Sequence, residues 1–155
     1  MPQTGDPRNN YGFGAYQVGL SNVGSYQVSV RPWVECDIAV PATGAHDTAK
    51  LIQFPNVTKF VTIRNDGDLA VGSEQVASLK IAFSQTGIRG HPTSAPHNYI
   101  TLEASQSFSA DFKVTKLYLM ATGSATGIKA TVIAGLTNIP GASLSGSWDG
   151  FAGTE

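Results

Sequence analysis

Two histidines and a loop between them are the first residues in this sequence that could do chemistry. His91 and His97 flank a segment that contains Pro92 and Pro96, while His46 lies elsewhere in the chain. Two histidines hold a metal ion or move a proton only when a third ligand or a carboxylate converges on them. The sequence does not place such a group beside them, so we interpret these histidines as solvated loop residues.

Two acidic pairs offer further chemistry. Glu35 and Asp37 alternate along one predicted strand, which places both carboxylates on the same face. Carboxylates about 5–10 Å apart can hydrolyse a glycosidic bond, but two on one strand face are more typical of a solvated surface or of a site for a neighbour's arginine. Asp66 and Asp68 resemble a fragment of a calcium loop. We interpret them as part of a turn because Asn and Asp bond to their own backbone there, with a loose calcium site as the alternative.

Cys36 is the single cysteine of the chain, so no disulfide can form within it. It alternates with Val34 and Ile38, and this pattern predicts a small core residue and not a nucleophile. The sequence has no Gly-x-Ser-x-Gly elbow, no P-loop and no His-Glu-x-x-His motif. We therefore expect no enzyme activity, no cofactor and no bound metal.

The composition argues against several classes of protein. The 155 residues include 10 basic and 11 acidic ones, and the formal net charge of -1 argues against nucleic-acid binding, which needs a basic face. No apolar run approaches the roughly 20 residues that cross a bilayer, and the first residues do not have the pattern of a secretory signal. Only 14% of the residues are charged, whereas the chain has 14 Ser, 14 Thr and 17 Gly. Its polar residues are therefore mostly small and neutral.

The elements that must position these side chains are strands. Apolar and polar residues alternate with a period of two through the middle of the chain, and Gly, Pro, Asn and Ser separate the segments. No helical stretch of 10 residues is evident. This pattern predicts an all-β fold, an antiparallel β-sandwich in the form of a jelly roll of about eight strands. The predicted strands cover residues 34–40, 49–54, 59–64, 78–83, 99–102, 107–114, 117–121 and 128–136, with a further short one near 69–71.

The two ends of the chain differ from its middle. Residues 1–32 and 138–155 are rich in Gly and Ser and have no sustained period, yet they carry aromatic side chains that disordered tails usually lack. We therefore predict an extended N-terminal arm over 1–32, a sandwich domain over 33–137 and a C-terminal extension over 138–155, with the ends bound to neighbouring subunits. Aromatic residues dominate interface hot spots. The predicted subunit-interface residues are Tyr11, Phe13, Tyr16, Tyr26, Trp33, Trp148 and Phe151.

A group of short segments is shared with one family of proteins: 24–29 followed by Arg31-Pro32-Trp33, then 54–60, Asn65-Asp66-Gly67, 79–84 and 134–137. In these segments the chain resembles the β-sandwich capsid decoration, or cement, proteins of tailed bacteriophages. This resemblance implies a jelly roll or similar sandwich, homotrimers or other oligomers on the capsid surface, and arms that embrace adjacent subunits of the major capsid protein. It also implies no enzyme activity and no cofactor.

Two functions follow as hypotheses from the sequence. The first is a virion structural protein, made in the host cytoplasm, that decorates and stabilises a phage capsid by clamping neighbouring capsid subunits with its arms. The alternative is a carbohydrate- or receptor-binding sandwich displayed on a virion. That module would bind a host surface glycan through exposed aromatic residues such as Tyr99, Tyr118 or Trp148. Neither function involves nucleic acid or a membrane.

Overall fold

The fold is an antiparallel β-sandwich, as the alternation predicts. In the described part of this computed structural model, eight strands form two four-stranded sheets, and one short helix lies between two of the strands. The extra strand predicted near residues 69–71 lies outside the described part of the chain. The structure describes residues 31–42, 49–68, 77–89, 98–122 and 127–143.

The observed strands lie at each of the eight places that the sequence indicates. β1 begins at Arg31 and β8 ends at Pro140, so regular structure extends across both predicted domain boundaries, 32/33 and 137/138. The elements are β1 (Arg31–Val40), β2 (Lys50–Gln53), β3 (Asn56–Asp68), β4 (Ser78–Ala82), α1 (Gln85–Arg89), β5 (Ile100–Leu102), β6 (Ser107–Ala110), β7 (Lys116–Thr122), β8 (Ile128–Pro140) and a 3-10 turn (Gly141–Ser143).

Each of the first four strands pairs with one of the last four. The first sheet has the order β1-β8-β3-β6, and the second sheet has the order β2-β7-β4-β5. β1 therefore pairs with β8, β2 with β7, β3 with β6 and β4 with β5, always antiparallel. These four pairs alternate between the first and the second sheet along the chain.

The inward faces of both sheets form the core. Full burial of an aliphatic side chain contributes about 1.5–3 kcal/mol, so these alternating residues supply the main driving force for folding. The predicted inward series of β8 is buried throughout: Ile128, Ala130, Val132, Ala134 and Leu136. From the second sheet, Ile52, Leu79, Ile81, Leu117 and Leu119 pack against the same core.

A β-bulge in β1 changes the face on which its residues lie. The register to β8 shifts between Glu35 and Ile38, and Asp37 takes the left-handed conformation with φ 54°. One inserted residue reverses the alternation, so Val34 and Cys36 are exposed while Ile38 is buried. The prediction that Cys36 is a core residue is therefore wrong, because hydrophobic periodicity does not reveal an inserted residue.

A second bulge lies at residues 65–68, where the sequence predicts a turn. β3 continues to Asp68, and its register to β8 shifts between Asn65 and Gly67, whose φ is 98°. The Gly67 backbone N donates a 3.0 Å hydrogen bond to Asn65 Oδ1. The side-chain bond and the positive φ expected of a turn are thus present. However, pairing resumes at Gly67 with Lys129, so the segment bends the strand and does not end it.

Asn65 also joins the two sheets. Its side chain is fully buried, and Nδ2 donates to the carbonyl oxygens of Ala77 at 2.9 Å and Leu102 at 3.1 Å. These carbonyls lie at the start of β4 and the end of β5, in the second sheet. The Asn65 backbone N donates to the Gln106 carbonyl at 3.0 Å. One residue of the first sheet therefore holds the end of the second sheet and the turn between β5 and β6.

Thr58 fixes the crossing from β6 to β7. The sequence predicts one strand over 107–114, whereas β6 ends at Ala110 and the chain then crosses to the second sheet. The buried Thr58 hydroxyl donates to the Phe112 carbonyl at 2.5 Å and accepts from the Val114 backbone N at 3.0 Å. The crossing segment is thus bound to β3 through the Thr58 side chain and through one backbone hydrogen bond, which the Thr58 N donates to the Val114 carbonyl at 3.0 Å.

The short helix α1 covers part of the outer face of the second sheet. The Ser84 hydroxyl accepts a 2.9 Å hydrogen bond from the Gly87 backbone N, which caps the start of the helix. Ile88 is fully buried against Ala82 and Met120 of the sheet. A five-residue helix is too short to produce a helical period in the sequence, which explains why the pattern does not reveal it.

Candidate interaction surfaces

Among the predicted interface aromatics, Trp33 lies within the described residues. It is half-buried in β1, and its ring meets Phe54 edge-on with 4.9 Å between ring centroids. Trp33 therefore packs on the margin of the core while part of its surface stays accessible. The other predicted interface residues, Tyr11, Phe13, Tyr16, Tyr26, Trp148 and Phe151, lie outside the described ranges.

A cleft of about 500 Å³ opens beside Phe54, at one end of the sandwich. The Gly141 backbone N donates to the Pro55 carbonyl at 2.9 Å. A Cβ at Gly141 would lie only 3.1 Å from that oxygen, so glycine permits this close approach. The lining residues are Gln53, Phe54, Pro55, Thr115, Gly141 and Ala142.

The outer face of the first sheet carries a neutral surface. Val34 pairs with Ile133, Ile133 with Thr62 and Thr62 with Ser109, so the four residues form one row across the sheet. Val34 is 60% exposed and Ile133 38% exposed. The Thr62 and Ser109 hydroxyls are hydrogen-bonded to each other at 2.8 Å. We call this row the neutral face; it combines exposed apolar surface with hydroxyls and has no charge.

Asp66 uses its carboxylate within the fold. Oδ1 lies 3.3 Å from the Arg64 Nε, and Oδ2 accepts a 2.6 Å hydrogen bond from the Thr131 hydroxyl. Both oxygens that a calcium ion would need thus have partners from β3 and β8. This arrangement favours the structural interpretation of Asp66 over the calcium alternative.

Glu35 and Asp37, the predicted carboxylate pair, are both exposed on β1. The bulge lies between Glu35 and Ile38, and Asp37 Oδ1 lies 3.2 Å from the Lys129 Nζ. These contacts make Asp37 part of a surface ion pair, which is worth about 0–1 kcal/mol. The histidines that the sequence singles out, His46, His91 and His97, lie outside the described residues.

The charged residues in the described elements of the second sheet are all basic. Its described strands and α1 contain Lys50, Lys80, Lys116 and Arg89, and these ranges contain no acidic residue. The strands of the first sheet contain equal numbers of basic and acidic residues. This difference in charge between the two sheets cannot be seen in the sequence. It becomes visible only when each strand is assigned to its sheet, because basic and acidic residues are interspersed along the chain.

Two of these lysines lie over tyrosine rings. The Lys80 Nζ is 4.4 Å from the centre of the Tyr99 ring, and the Lys116 Nζ is 5.8 Å from that of Tyr118. Leu51, which is 44% exposed, pairs with Tyr118 in the same sheet. We call Leu51, Lys80, Tyr99, Lys116 and Tyr118 the basic face. It includes two of the aromatic residues that the glycan hypothesis singles out.

Three phenylalanines line a narrow apolar crevice between the sheets. Phe83 meets Phe112 edge-on with 5.0 Å between ring centroids, and Phe108 stacks on Phe112 at 6.0 Å. All three rings are half-buried, and Ile100 packs beside them. The sequence correctly predicts that Phe108 and Phe112 share a face, although Phe112 lies beyond the end of the strand.

The described ranges show neither a metal site nor a membrane-spanning helix. In those ranges no three His, Cys, Asp or Glu side chains are grouped closely enough to hold a metal ion. No helix there is long and apolar enough to cross a bilayer. Comparisons with protein-family models, curated proteins and solved structures give no match to this chain. The function proposed below therefore rests on the strand order and on the described surfaces.

Proposed function

We propose that this chain is a phage virion structural protein that decorates and stabilises the capsid by clamping neighbouring subunits with its arms. The observation that carries the proposal is the strand order β1-β8-β3-β6 and β2-β7-β4-β5. A jelly roll arises when an antiparallel hairpin of four strand pairs folds over, so that successive pairs alternate between two sheets. The observed pairing supports this topology as part of the proposal, and viral capsid proteins use jelly rolls repeatedly.

The neutral face supports an interface with other proteins. Val34 and Ile133 leave apolar surface in contact with water, and the hydroxyls of Thr62 and Ser109 already satisfy each other. Burying such a surface costs little because it contains no charge that would need a new partner. A stable interface buries about 1,200–2,000 Å², so this face needs the arms to complete the contact. The partners in this proposal are the major capsid protein and copies of the chain itself, arranged as a homotrimer.

Deletion of residues 1–24 tests the proposal. The full chain should bind heads assembled from the major capsid protein of the same phage, and co-sedimentation with the heads measures this. The truncated chain should lose binding but keep the urea unfolding midpoint of the full chain, because the first of the eight described strands begins at Arg31, beyond the deleted residues. Equal binding by the truncated chain, or no binding by the full chain, would contradict the proposal.

Substitutions on the neutral face test its part in the contact. Val34→Lys with Ile133→Lys should weaken head binding by about tenfold or more, because two charges would be buried without partners. Ala39→Lys adds the same kind of charge at an exposed position of β1 outside the row, and it should bind normally. If the double variant binds as the control does, the neutral face is not part of the interface.

The glycan-binding alternative has one observation in its favour. Jelly rolls also occur in lectins, and the basic face presents Tyr99 and Tyr118 beside lysines. A glycan screen at millimolar concentration distinguishes the alternatives. Glycan binding that is lost in Tyr118→Ala, while the variant still binds heads, would establish the second function. Absence of glycan binding would leave capsid decoration as the proposal.

A further inference from the structure

We propose that residues 16–20 of the N-terminal arm of one copy add as an extra strand to the open edge of β6 in a neighbouring copy. The inference rests on the proposed function, in which the arms bind neighbouring subunits. It specifies which part of the arm makes the contact, which surface receives it and how the two are joined.

β6 differs from the other edge strands of the two described sheets in how easily it can pair. Natural proteins protect exposed strand edges with proline, charged residues, bulges or very short strands. β1 carries Pro32 and a bulge, β2 begins with the charged Lys50, and β5 has only three residues. The four residues of β6, Ser107–Ala110, include neither proline nor a charged residue, and the exposed Asp111 lies beyond them. The first sheet can therefore be extended at this strand.

The hydrogen bonds between β3 and β6 show which backbone groups lie at this edge. The Asn65 backbone N donates to the Gln106 carbonyl at 3.0 Å. Bonded and non-bonded pairs alternate along an antiparallel ladder, so Phe108 bonds to β3, while the N–H and C=O groups of Ser107 and Ser109 point away from it. These four groups can provide the hydrogen bonds to an added strand.

The phenylalanine crevice lies beside this edge. Phe108 faces inwards, Phe83 and Phe112 are half-buried with it, and Ile100 of the facing edge strand β5 packs beside them. All residues that line the crevice are apolar. When a peptide binds by strand addition, its main chain provides affinity and pockets for alternate side chains provide specificity. Alternate side chains of a strand added to β6 would cover these half-buried rings.

A repeated motif in the N-terminal arm matches this edge. The arm contains YQVGL at 16–20 and YQVSV at 26–30, both outside the described ranges. In both copies aromatic or aliphatic residues alternate with Gln and a small residue, a period typical of a half-buried strand. Every second residue from Tyr16 would face the crevice, and Gln17 and Gly19 would lie beside the hydroxyls of the neutral face. The second copy of the motif continues directly into β1, so the first copy is the one assigned to the added strand.

The arm is long enough to reach another copy. Residues 21–30 join the motif to β1, and these ten residues span at most about 33–36 Å when extended. The four strands of the first sheet, about 4.8 Å apart, are together about 20 Å wide. Because the arm and the β6 edge are different surfaces, the contact is heterologous and can close into a ring such as the proposed homotrimer.

Two variants of the full chain test the arm and the edge separately. Val18→Pro removes a backbone N–H from the motif. Ser107→Pro removes one from the edge, at the first residue of β6, where proline is tolerated because the lost N–H points away from β3. Each variant alone should associate about tenfold more weakly than the wild type in sedimentation velocity. An equimolar mixture should associate more strongly than either variant, because the intact arm of one copy then meets the intact edge of the other.

Two matched controls isolate the backbone N–H groups. Asn10→Pro places a proline elsewhere in the arm, and Ser107→Ala changes the same side chain but keeps the N–H. Both should associate as the wild type does. Urea unfolding of every variant establishes that each is folded before association is compared.

Hydrogen exchange at single residues detects the added strand directly. The Ser109 amide should exchange about tenfold more slowly in the wild-type assembly than in the Val18→Pro variant, because it is bonded only when the arm is in place. The Phe108 amide bonds to β3 and should change much less. Dilution of the wild type should remove the protection of Ser109, since the arm comes from another copy.

Several outcomes would overturn the inference. They are a wild-type chain that stays monomeric, a mixture that associates no more strongly than its components, and a Ser109 amide that exchanges equally in the wild type and in Val18→Pro. Protection of Ser109 that survives dilution would also overturn it, because the arm then pairs with its own copy. Head binding is measured separately, so these failures with normal head binding refute this inference alone. An added strand without head binding refutes capsid decoration alone.

Discussion

Asn65 shows how much of the fold can depend on one polar side chain. Its amide nitrogen donates to two carbonyl oxygens of the second sheet, and its amide oxygen accepts from the backbone of Gly67. A buried carbonyl that loses its donor costs about 1–3 kcal/mol, and a domain of this size has only about 5–15 kcal/mol of net stability. Asn65 is therefore a structural residue of β3, although the sequence predicts that it lies in a turn.

Asn65→Ala should lower the free energy of unfolding by about 2–4 kcal/mol, because two buried carbonyls lose their donor. Urea unfolding at an unchanged m-value measures the loss. Asn138→Ala removes an exposed amide from β8 and should change stability by less than about 0.5 kcal/mol. Similar losses in both variants would show that the cross-sheet bonds of Asn65 contribute little.

Cys36 provides a direct test of the corrected face assignment of β1. Because its side chain is exposed, a thiol reagent should modify it fully in the native protein, without denaturant. Cys36 is near Val34 on the exposed side of β1, so binding to heads should slow the modification if the neutral face is covered. A thiol that reacts only after unfolding would support the original prediction of a core residue.

At the scale of elements, the sequence predicts strands well and their irregularities poorly. The series from Ile128 to Leu136 could be predicted because an unbroken alternation leads to one buried face. The exposed Val34 could not, since the bulge that moves it depends on the conformation of Asp37. The basic and neutral faces could not be predicted either. They arise from the pairing of strands that are distant in the sequence, such as β2 with β7.

Asp37→Val should destabilise the protein by about 1–3 kcal/mol, because a β-branched residue does not readily adopt the positive φ of the bulge. Ala39→Val is the control, since it places valine at an exposed, regularly paired position of the same strand. Thermal unfolding of both variants measures the difference. If the Asp37→Val variant is as stable as the control, the backbone at the bulge can change its conformation without a loss of stability.

At the scale of the whole molecule, the two sheets present different chemistry on opposite sides of the sandwich. The first sheet has a neutral row and equal numbers of basic and acidic residues. In the described strands of the second sheet, the charged residues are all lysines. This difference allows one copy to contact two kinds of partner at once. In the proposed assembly the neutral face contacts a neighbouring subunit.

Salt should have little effect on a contact through the neutral face. Exposed charges are screened beyond about 10 Å at 0.1 M ionic strength and beyond about 3 Å at 1 M. The four residues of the neutral face carry no charge, so raising the salt across this range should change head binding by less than about threefold. Co-sedimentation with the heads measures this effect. A loss of tenfold or more would contradict a contact made mainly through the neutral face.

The pairing of β1 and β3 with β8 also determines when the protein can fold during synthesis. β8 lies between these two strands in the first sheet, yet it begins at Ile128. A ribosome adds about 5–20 residues per second, so β1 waits several seconds for its partner. During that interval the newly made chain exposes unpaired strand edges, which are the usual starting point of aggregation. Hydrophobic association weakens on cooling, so expression at low temperature should raise the soluble yield.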